Sequence, residues 1–363
     1  MADIYCFLSE FQVKLSRYSK IWGEKMIIIT DCLTNEADEG CLKVANTLTR
    51  RLKEKEPDSV IVTYHRCSDR SDLHLKHSPL FPSRKLVSLL RRNGEPILYI
   101  PFSSNTRAGV LRTYFLSRIS RTQVSVLFSL RRPMGERSKR LLRESGARVI
   151  SLSADSHRFF RQFIGSRAMY MKTGVDTACF TPADPGEKAS LREKYRVRPG
   201  KKVLLHVGHL SEGRNVRRLL NVSQEFHVFL VVSTLTQRDE VLRAELEARP
   251  NTTIIDTYLP NIEEIYRMTD VYFFPVEEEG NCIDVPLSVL EAAACNVPVV
   301  MTRYGELKEL AGTGGFYFLS SFEPERLNGL LHRAAEASIE VRPAVMGYDW
   351  SFAVERIREV CSG

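Results

Sequence analysis

The sequence predicts an α/β protein built of two Rossmann-like, doubly wound domains that face each other across a cleft. Three observations lead there. The chain has 363 residues, and at roughly 100–200 residues per domain that length holds two. Short apolar runs alternate with amphipathic helical stretches twice over, the pattern of parallel sheets covered on both faces. Between the two series lies a stretch rich in Pro, Gly and charge, which reads as a connection to a new unit. The expected boundaries are a first domain over 1–172, a linker over 173–200, a second domain over 201–346 and a terminal helix over 347–363.

In the first series the strands are MIIIT (26–30), SVIVTYH (59–65), PILYIPF (96–102), VSVLFS (124–129) and ARVISLS (147–153), with helical segments between them. Residues 1–25 join this domain without an assigned element. The second series starts with KVLLHVGHL (202–210). A helix from NVRRLL, the strand HVFLVVS, the helix LTQRDEVLRAELEA and the strand TTIIDTYL follow. NIEEIYRMT (helix), VYFFPV (strand), LSVLEAAACN (helix) and VPVVMT (strand) complete it. The closing DWSFAVERIREVCSG is an amphipathic helix with Trp350 and Phe352 as apolar anchors.

Hydrophobic residues make up 43% and charged residues 26%, enough apolar material for two cores in an ordinary globular chain. No apolar run approaches the ~18–20 residues that cross a bilayer. The first residues carry scattered charge and do not read as a secretory signal. None of the eight cysteines forms a CxxC pair or a metal-ligand spacing, so they read as reduced thiols of a cytoplasmic protein. Under that reading the sequons at Asn221 and Asn251 carry no meaning, and His74 and His77 read as surface histidines.

The formal charge of +8 is uneven. Residues 129–148 hold seven Arg or Lys against two Glu, and further basic groups lie in 83–92 and 111–121. Such runs are commonly solvated helix faces. Their interleaving with Leu, Phe and Tyr also suits an anionic membrane surface, on the cytoplasmic face. Nucleic-acid-reading motifs are absent from the sequence, which sets nucleic acid aside as a partner.

Two stretches carry chemistry. In LLHVGHLSEGRNVRRLL (204–220) a buried strand ends at Gly208, and Arg214 precedes a helix. Glycine admits close backbone approach, a helix N-terminus offers free N–H groups, and an arginine grips a diphosphate. In CIDVPLSVLEAAACNVPVV (282–300) two carboxylates, Asp284 and Glu291, border a small apolar run. They read either as acids at a helix N-terminus or as groups facing a ligand. Both stretches follow strands of one sheet, so both loops open on one edge. Positive charge on one and hydroxyl-accepting carboxylates on the other fit a nucleotide sugar, with Glu291 on the ribose and Asp284 on the transferred sugar.

From about Gly174 onward the chain resembles retaining glycosyltransferases of family 4, which have the GT-B fold. The likeness runs in order through GVDTACFTP, VGHLSEGRNV, NIEEIYRMTDVYFFPVEEEG, DVPLSVLEAAACNVPVV, TRYGELKELAGTGG and DWSFAVERIREV. The resemblance implies an acceptor-binding first domain and a second domain that binds the nucleotide-sugar donor. It implies sugar transfer to a glycan or lipid-linked acceptor, with neither cofactor nor metal. Carried over, Arg214 matches the diphosphate contact and Glu291 the second glutamate of a Glu-x7-Glu motif, on the ribose. Tyr258 and Leu259 fall where the base packs. Val285, Pro286, Leu287 and Ser288 fall where backbone N–H groups meet the donor. Gly40 answers to the glycine-rich acceptor-side loop.

The chain departs from the family pattern at several positions. Ile283 stands where the first motif glutamate belongs, one place before Asp284. His209 replaces a second arginine with a weaker, pH-dependent charge. VLFSLRRP lacks the histidine that many members carry near the transferred sugar. These departures motivate an alternative: a degenerate protein that binds a nucleotide sugar or glycan without transfer. Another GT-B enzyme, such as a nucleotide-sugar epimerase, is the other alternative.

Overall fold

The computed structural model describes residues 26–362 apart from 32, 65–69, 76–82, 93, 103, 234–238 and 279. The expectations for residues 1–25 and for His77 lie outside the described residues.

The first domain is a seven-stranded sheet in the order β3-β2-β1-β4-β5-β6-β7. Its strands are β1 (Ile27–Thr30), β2 (Val60–Thr63), β3 (Leu73–His74), β4 (Ile97–Ile100), β5 (Val124–Phe128), β6 (Arg148–Ser151) and β7 (Ala168–Tyr170). Every pairing is parallel. The neighbouring central strands IIIT and ILYI are buried at every position, because helices cover both faces. Those helices are α1 (Gly40–Lys55), α2 (Arg84–Arg92), α3 (Arg107–Ile119), α4 (Glu136–Ser145) and α5 (Ala154–Ile164).

Between the sheets stands α6 (Pro185–Lys194), inside the stretch read as linker. Asp184 caps it by accepting from the Gly186 and Glu187 N–H groups, and Pro185 opens it, where a missing N–H costs nothing. Arg192 fastens it to the second domain through the Met268 carbonyl (3.1 Å) and Asp270 (2.5 Å). The reading of 173–200 as linker is therefore corrected: part of it is a docked helix. Its Pro, Gly and charge content reflects helix caps and an exposed face.

The second domain is a six-stranded sheet in the order β10-β9-β8-β11-β12-β13, again all parallel. It comprises β8 (Lys202–Gly208), β9 (Phe226–Val232), β10 (Thr252–Ile255), β11 (Val271–Phe274), β12 (Val299–Met301) and β13 (Phe316–Phe318). Its α-helices are α7 (Glu240–Ala248), α8 (Ile262–Arg267), α9 (Leu287–Ala294) and α10 (Pro324–Ala335). The expected helix at NVRRLL is instead a 3-10 segment, Val216–Asn221, entered through Asn215 in the left-handed region.

The closing helix α11 (Trp350–Ser362) returns to the first domain. Trp350, Val354 and Ile357 share a core with Ile28, Leu42 and Leu98. Phe352 is 60% exposed and is no anchor, which corrects that expectation: it lies on the outer face of the helix. The return passage runs beside the outward one. Val175 N–H donates to the Tyr348 carbonyl at 2.8 Å, and Trp350 N–H donates to Val175 at 3.3 Å. Both crossings between domains thus lie at one edge, and the C-terminal ends of the strands face across the gap.

Candidate functional site

Each sheet reverses its strand order beside a central strand, β1 in the first and β8 in the second. Such switch points open crevices at the carboxyl ends of the strands. Here the two crevices meet and form a cleft with two adjoining cavities, of about 350 Å³ and 320 Å³. Asp38 and Lys43 from the first domain line both, as do Gly208 and Leu287 from the second.

The first cavity is cationic at its floor. Arg214 is only 7% exposed. Its Nε makes no hydrogen bond, and the side chain has no ion-pair partner among the described residues. Its neighbours are the Cys282 thiol and, without a direct salt bridge, Glu39; a guanidinium buried with so little compensation is costly, and a ligand anion would offset that cost. The cavity wall at Gly208 explains the glycine. A β-carbon there would lie 3.2 Å from His206 Nε2 and 3.6 Å from Arg214 Nη1. Pro286, Leu287 and Ser288 bring the start of α9 to the same wall. No side chain caps that helix, so its first N–H groups and the positive end of its dipole are available.

His209 lines this cavity, but burial and then the neighbouring Arg214 depress its pKa to about 4. It is therefore neutral at pH 7, which corrects its reading as a weak cation. His206, fully buried, is depressed to about 4 as well, by burial foremost. Across the cavity, burial raises the pKa of Glu39, which caps α1 through the Leu42 N–H.

The second cavity is lined by Tyr258, Leu259 and Pro260 on one side and by Glu291 at its inner end. Glu291 is 5% exposed. It accepts from Tyr266 Oη at 2.8 Å and from Lys43 Nζ at 2.8 and 3.1 Å. Burial holds the Tyr266 hydroxyl protonated and hence a donor. Lys43 comes from α1 of the first domain, so this ion pair spans the cleft. It has no counterpart among the residues singled out in sequence. A signal existed: Gly40, Lys43, Thr47 and Arg50 follow a 3-4-3 helical spacing, and all four line one or other cavity.

Asp284 is elsewhere. Its carboxylate accepts from Ser153 Oγ at 2.6 Å and from Ser156 Oγ, beside a separate small hollow of about 20 Å³. Ser153 is the N-cap of α5. Nearby, Glu306 accepts from the Ala154 N–H with both oxygens, at 3.1 and 3.0 Å, and from Tyr170 Oη at 3.1 Å. Two second-domain carboxylates thus hold the N-terminus of one first-domain helix, where the dipole favours them. Asp284 does not line either large cavity, so the structure does not bring it beside Arg214 and Glu291 as its reading on the transferred sugar expects. One residue earlier, Ile283 does line the first cavity. A β-carbon on Gly40 would lie 3.1 Å from Ile283 Cδ1. Gly40 thus accepts an apolar contact from the opposite domain, and Ile283 makes that contact where a carboxylate was expected. The side chain of Val285 is buried in the second-domain core and lines neither cavity.

Residues 201–334 match the family model described as Glycosyl transferases group 1. That match spans most of the second domain. Two Mycobacterium tuberculosis proteins, both named alpha-maltose-1-phosphate synthase, are 25% identical in a match that covers 53% of this chain. The match covers 57% of their length, so the chain spans little more than half of these curated relatives. Among solved structures, Anabaena HepE in complex with UDP-glucose superposes with a TM-score of 0.72 at 15% identity, covering 94% of this chain and all of the other. The sucrose-phosphate synthase of Thermosynechococcus elongatus gives 0.69 at 15%, covering 93% and 98%. WaaG, a glycosyltransferase involved in lipopolysaccharide biosynthesis, gives 0.66 at 13%, covering 93% and 100%. The described residues therefore have the GT-B fold.

Proposed function

We propose that the protein transfers a sugar from a nucleotide-sugar donor to the hydroxyl of a glycan or lipid-linked acceptor, with retention. The observation that carries this reading is the buried Arg214, without a salt bridge, at the floor of a cavity that continues into the lobe of Tyr258, Leu259 and Glu291. The base packs on Tyr258 and Leu259, and Glu291 accepts from the ribose hydroxyls. The diphosphate lies against Arg214 and the N-terminus of α9, and the sugar extends into the first cavity. As the glycosidic bond breaks, negative charge grows on the departing diphosphate. A fixed guanidinium and helix N–H groups stabilise that charge without reorganisation. His209, being neutral, aids it little. The enclosing first domain limits attack by water.

Sugar release from UDP-, ADP- and GDP-sugars, with and without glycan and lipid-linked acceptors, tests the reading. Acceptor-dependent release supports it. The contact of Ile283 with Gly40 favours a second reading, donor binding without transfer, because it leaves no second-domain carboxylate on that wall. Tight nucleotide-sugar binding with no release under any acceptor would establish that alternative.

The acceptor arrives, in this proposal, from an anionic membrane surface on the cytoplasmic side. Support comes from α3, where Leu111 and Phe115 are 42% and 36% exposed on a helix that also carries Arg107 and Arg118. Helix α4 beside it carries Arg137, Lys139, Arg140 and Arg143. No helix among the described residues is long and apolar enough to cross a membrane. Flotation with anionic vesicles at low salt, lost at high salt, is the expected result; no flotation at low salt would remove the membrane from the proposal.

A further inference from the structure

The proposed donor has two halves that occupy the two cavities, and its diphosphate joins them. That diphosphate must therefore cross the wall the cavities share. The cation common to both is Lys43. Arg132 lines only the first cavity, and Arg50, which lines only the second, pairs with Glu54. Arg214 sits in the floor of the first cavity, with part of its charge offset by nearby Glu39. A diphosphate carries more than one negative charge, so a single buried guanidinium leaves it underneutralised.

Lys43 also has a reason to move. Its ammonium holds both oxygens of Glu291, at 2.8 and 3.1 Å. Those are the oxygens that the ribose hydroxyls would use. A ribose and an ammonium compete for the same acceptors, and Tyr266 already donates to one of them. Donor binding therefore frees the lysine head beside the diphosphate, and its four-carbon stem lets the ammonium swing while the helix stays fixed.

We propose that Lys43 is the first domain's ligand for the donor diphosphate, exchanging Glu291 for phosphate oxygens when the donor binds. The inference rests on the donor-binding reading above. It also gives closure of the cleft a chemical cause. The Lys43–Glu291 pair holds the domains together directly, and the donor replaces that link with one running from Glu291 through ribose and diphosphate to Lys43. A nucleoside lacking phosphates breaks the first link without making the second.

The test compares nucleosides with their diphosphates, taken from the uridine, adenosine, guanosine and cytidine series. Binding to wild type, K43M and K43R is read by calorimetry and, for weak nucleosides, by ligand-observed NMR. In K43M, diphosphate affinity falls about tenfold or more, the scale of one lost charge-assisted contact. Nucleoside affinity holds or rises, because Glu291 loses its competitor. K43R keeps diphosphate affinity within about threefold. Equal losses for nucleoside and diphosphate, or no loss for either, would overturn the proposal, since a purely structural pair does not distinguish them. If K43M does not fold, E291Q/K43M is compared with E291Q, which removes the bare carboxylate; the same ratio decides. If R214A loses diphosphate binding while K43M does not, the donor site stands and the Lys43 role alone fails. If wild type binds no diphosphate in the panel, both fail.

Discussion

Glu291 and Asp284 lie seven residues apart, and both reach across the cleft to the first domain. Glu291 meets a lysine on a flexible stem, at the junction of two cavities. Asp284 meets two serine hydroxyls at the fixed N-terminus of α5, with Glu306 on the adjoining N–H. The first partner is the head of a long flexible side chain, whereas the second is part of a helix cap. A carboxylate in an interdomain cleft is available to a ligand only when its protein partner is removable, and this separates the two residues more sharply than their place in a motif does.

The largest effect should come from the Glu291 side. Arg214→Ala removes the buried cation and should weaken nucleoside diphosphate binding by about 10–100-fold, the equivalent of a charge-assisted bond of ~1.5–3 kcal/mol. Sugar transfer should fall at least as far. Unchanged affinity by calorimetry would erase the distinction between the two regions.

Acid should move the two regions in opposite directions. His209 has its pKa depressed to about 4 in the folded state against 6.5 for the free group. Between those values the unfolded chain binds more protons, so stability present above pH 6.5 is lost as pH falls toward 4. Glu306 is raised, by burial foremost, so its protonation favours the folded state as pH falls through its folded pKa. Unfolding free energy from pH 7.5 to 4.5 should decline, and in H209N the decline should shrink by on the order of 2 kcal/mol after allowance for partial exposure. A variant with the wild-type slope would show that His209 is not held neutral.

Glu291→Gln keeps the shape and loses the charge. Nucleoside diphosphate affinity should drop about tenfold, about 1.4 kcal/mol, with the loss shared by the bare nucleoside. Loss confined to the diphosphate would contradict a ribose role. The smallest effect belongs to Asp284→Asn. Binding should stay within about threefold, and stability should fall by about 1 kcal/mol, the scale of one weakened hydrogen bond. Denaturant midpoints and calorimetry read the two together.

The fold was legible because nearly every strand is a short run buried on both faces, and β1, β4, β9 and β11 are apolar almost throughout. That the segments of Arg214 and Glu291 border one cleft was legible for the related reason that strand order fixes where they open. What sequence did not reveal depends on the opposite domain. Nothing local to residue 284 shows that Ser153 and Ser156 wait across the gap. Nothing local to Ile283 shows that Gly40 leaves room for it. His209 reads as ionisable until its burial beside Arg214 is known. Lys43 sat in an amphipathic helix where a lysine passes for a solvated one, and only the facing Glu291 identifies it.

The most direct test sets the two regions against each other in one experiment. The nucleoside diphosphate that binds wild type most tightly is titrated into Arg214→Ala and Asp284→Asn by calorimetry. The account predicts a loss of about tenfold or more for the first and less than about threefold for the second. Equal losses in both variants, or no nucleoside diphosphate binding to the wild-type protein, would contradict it.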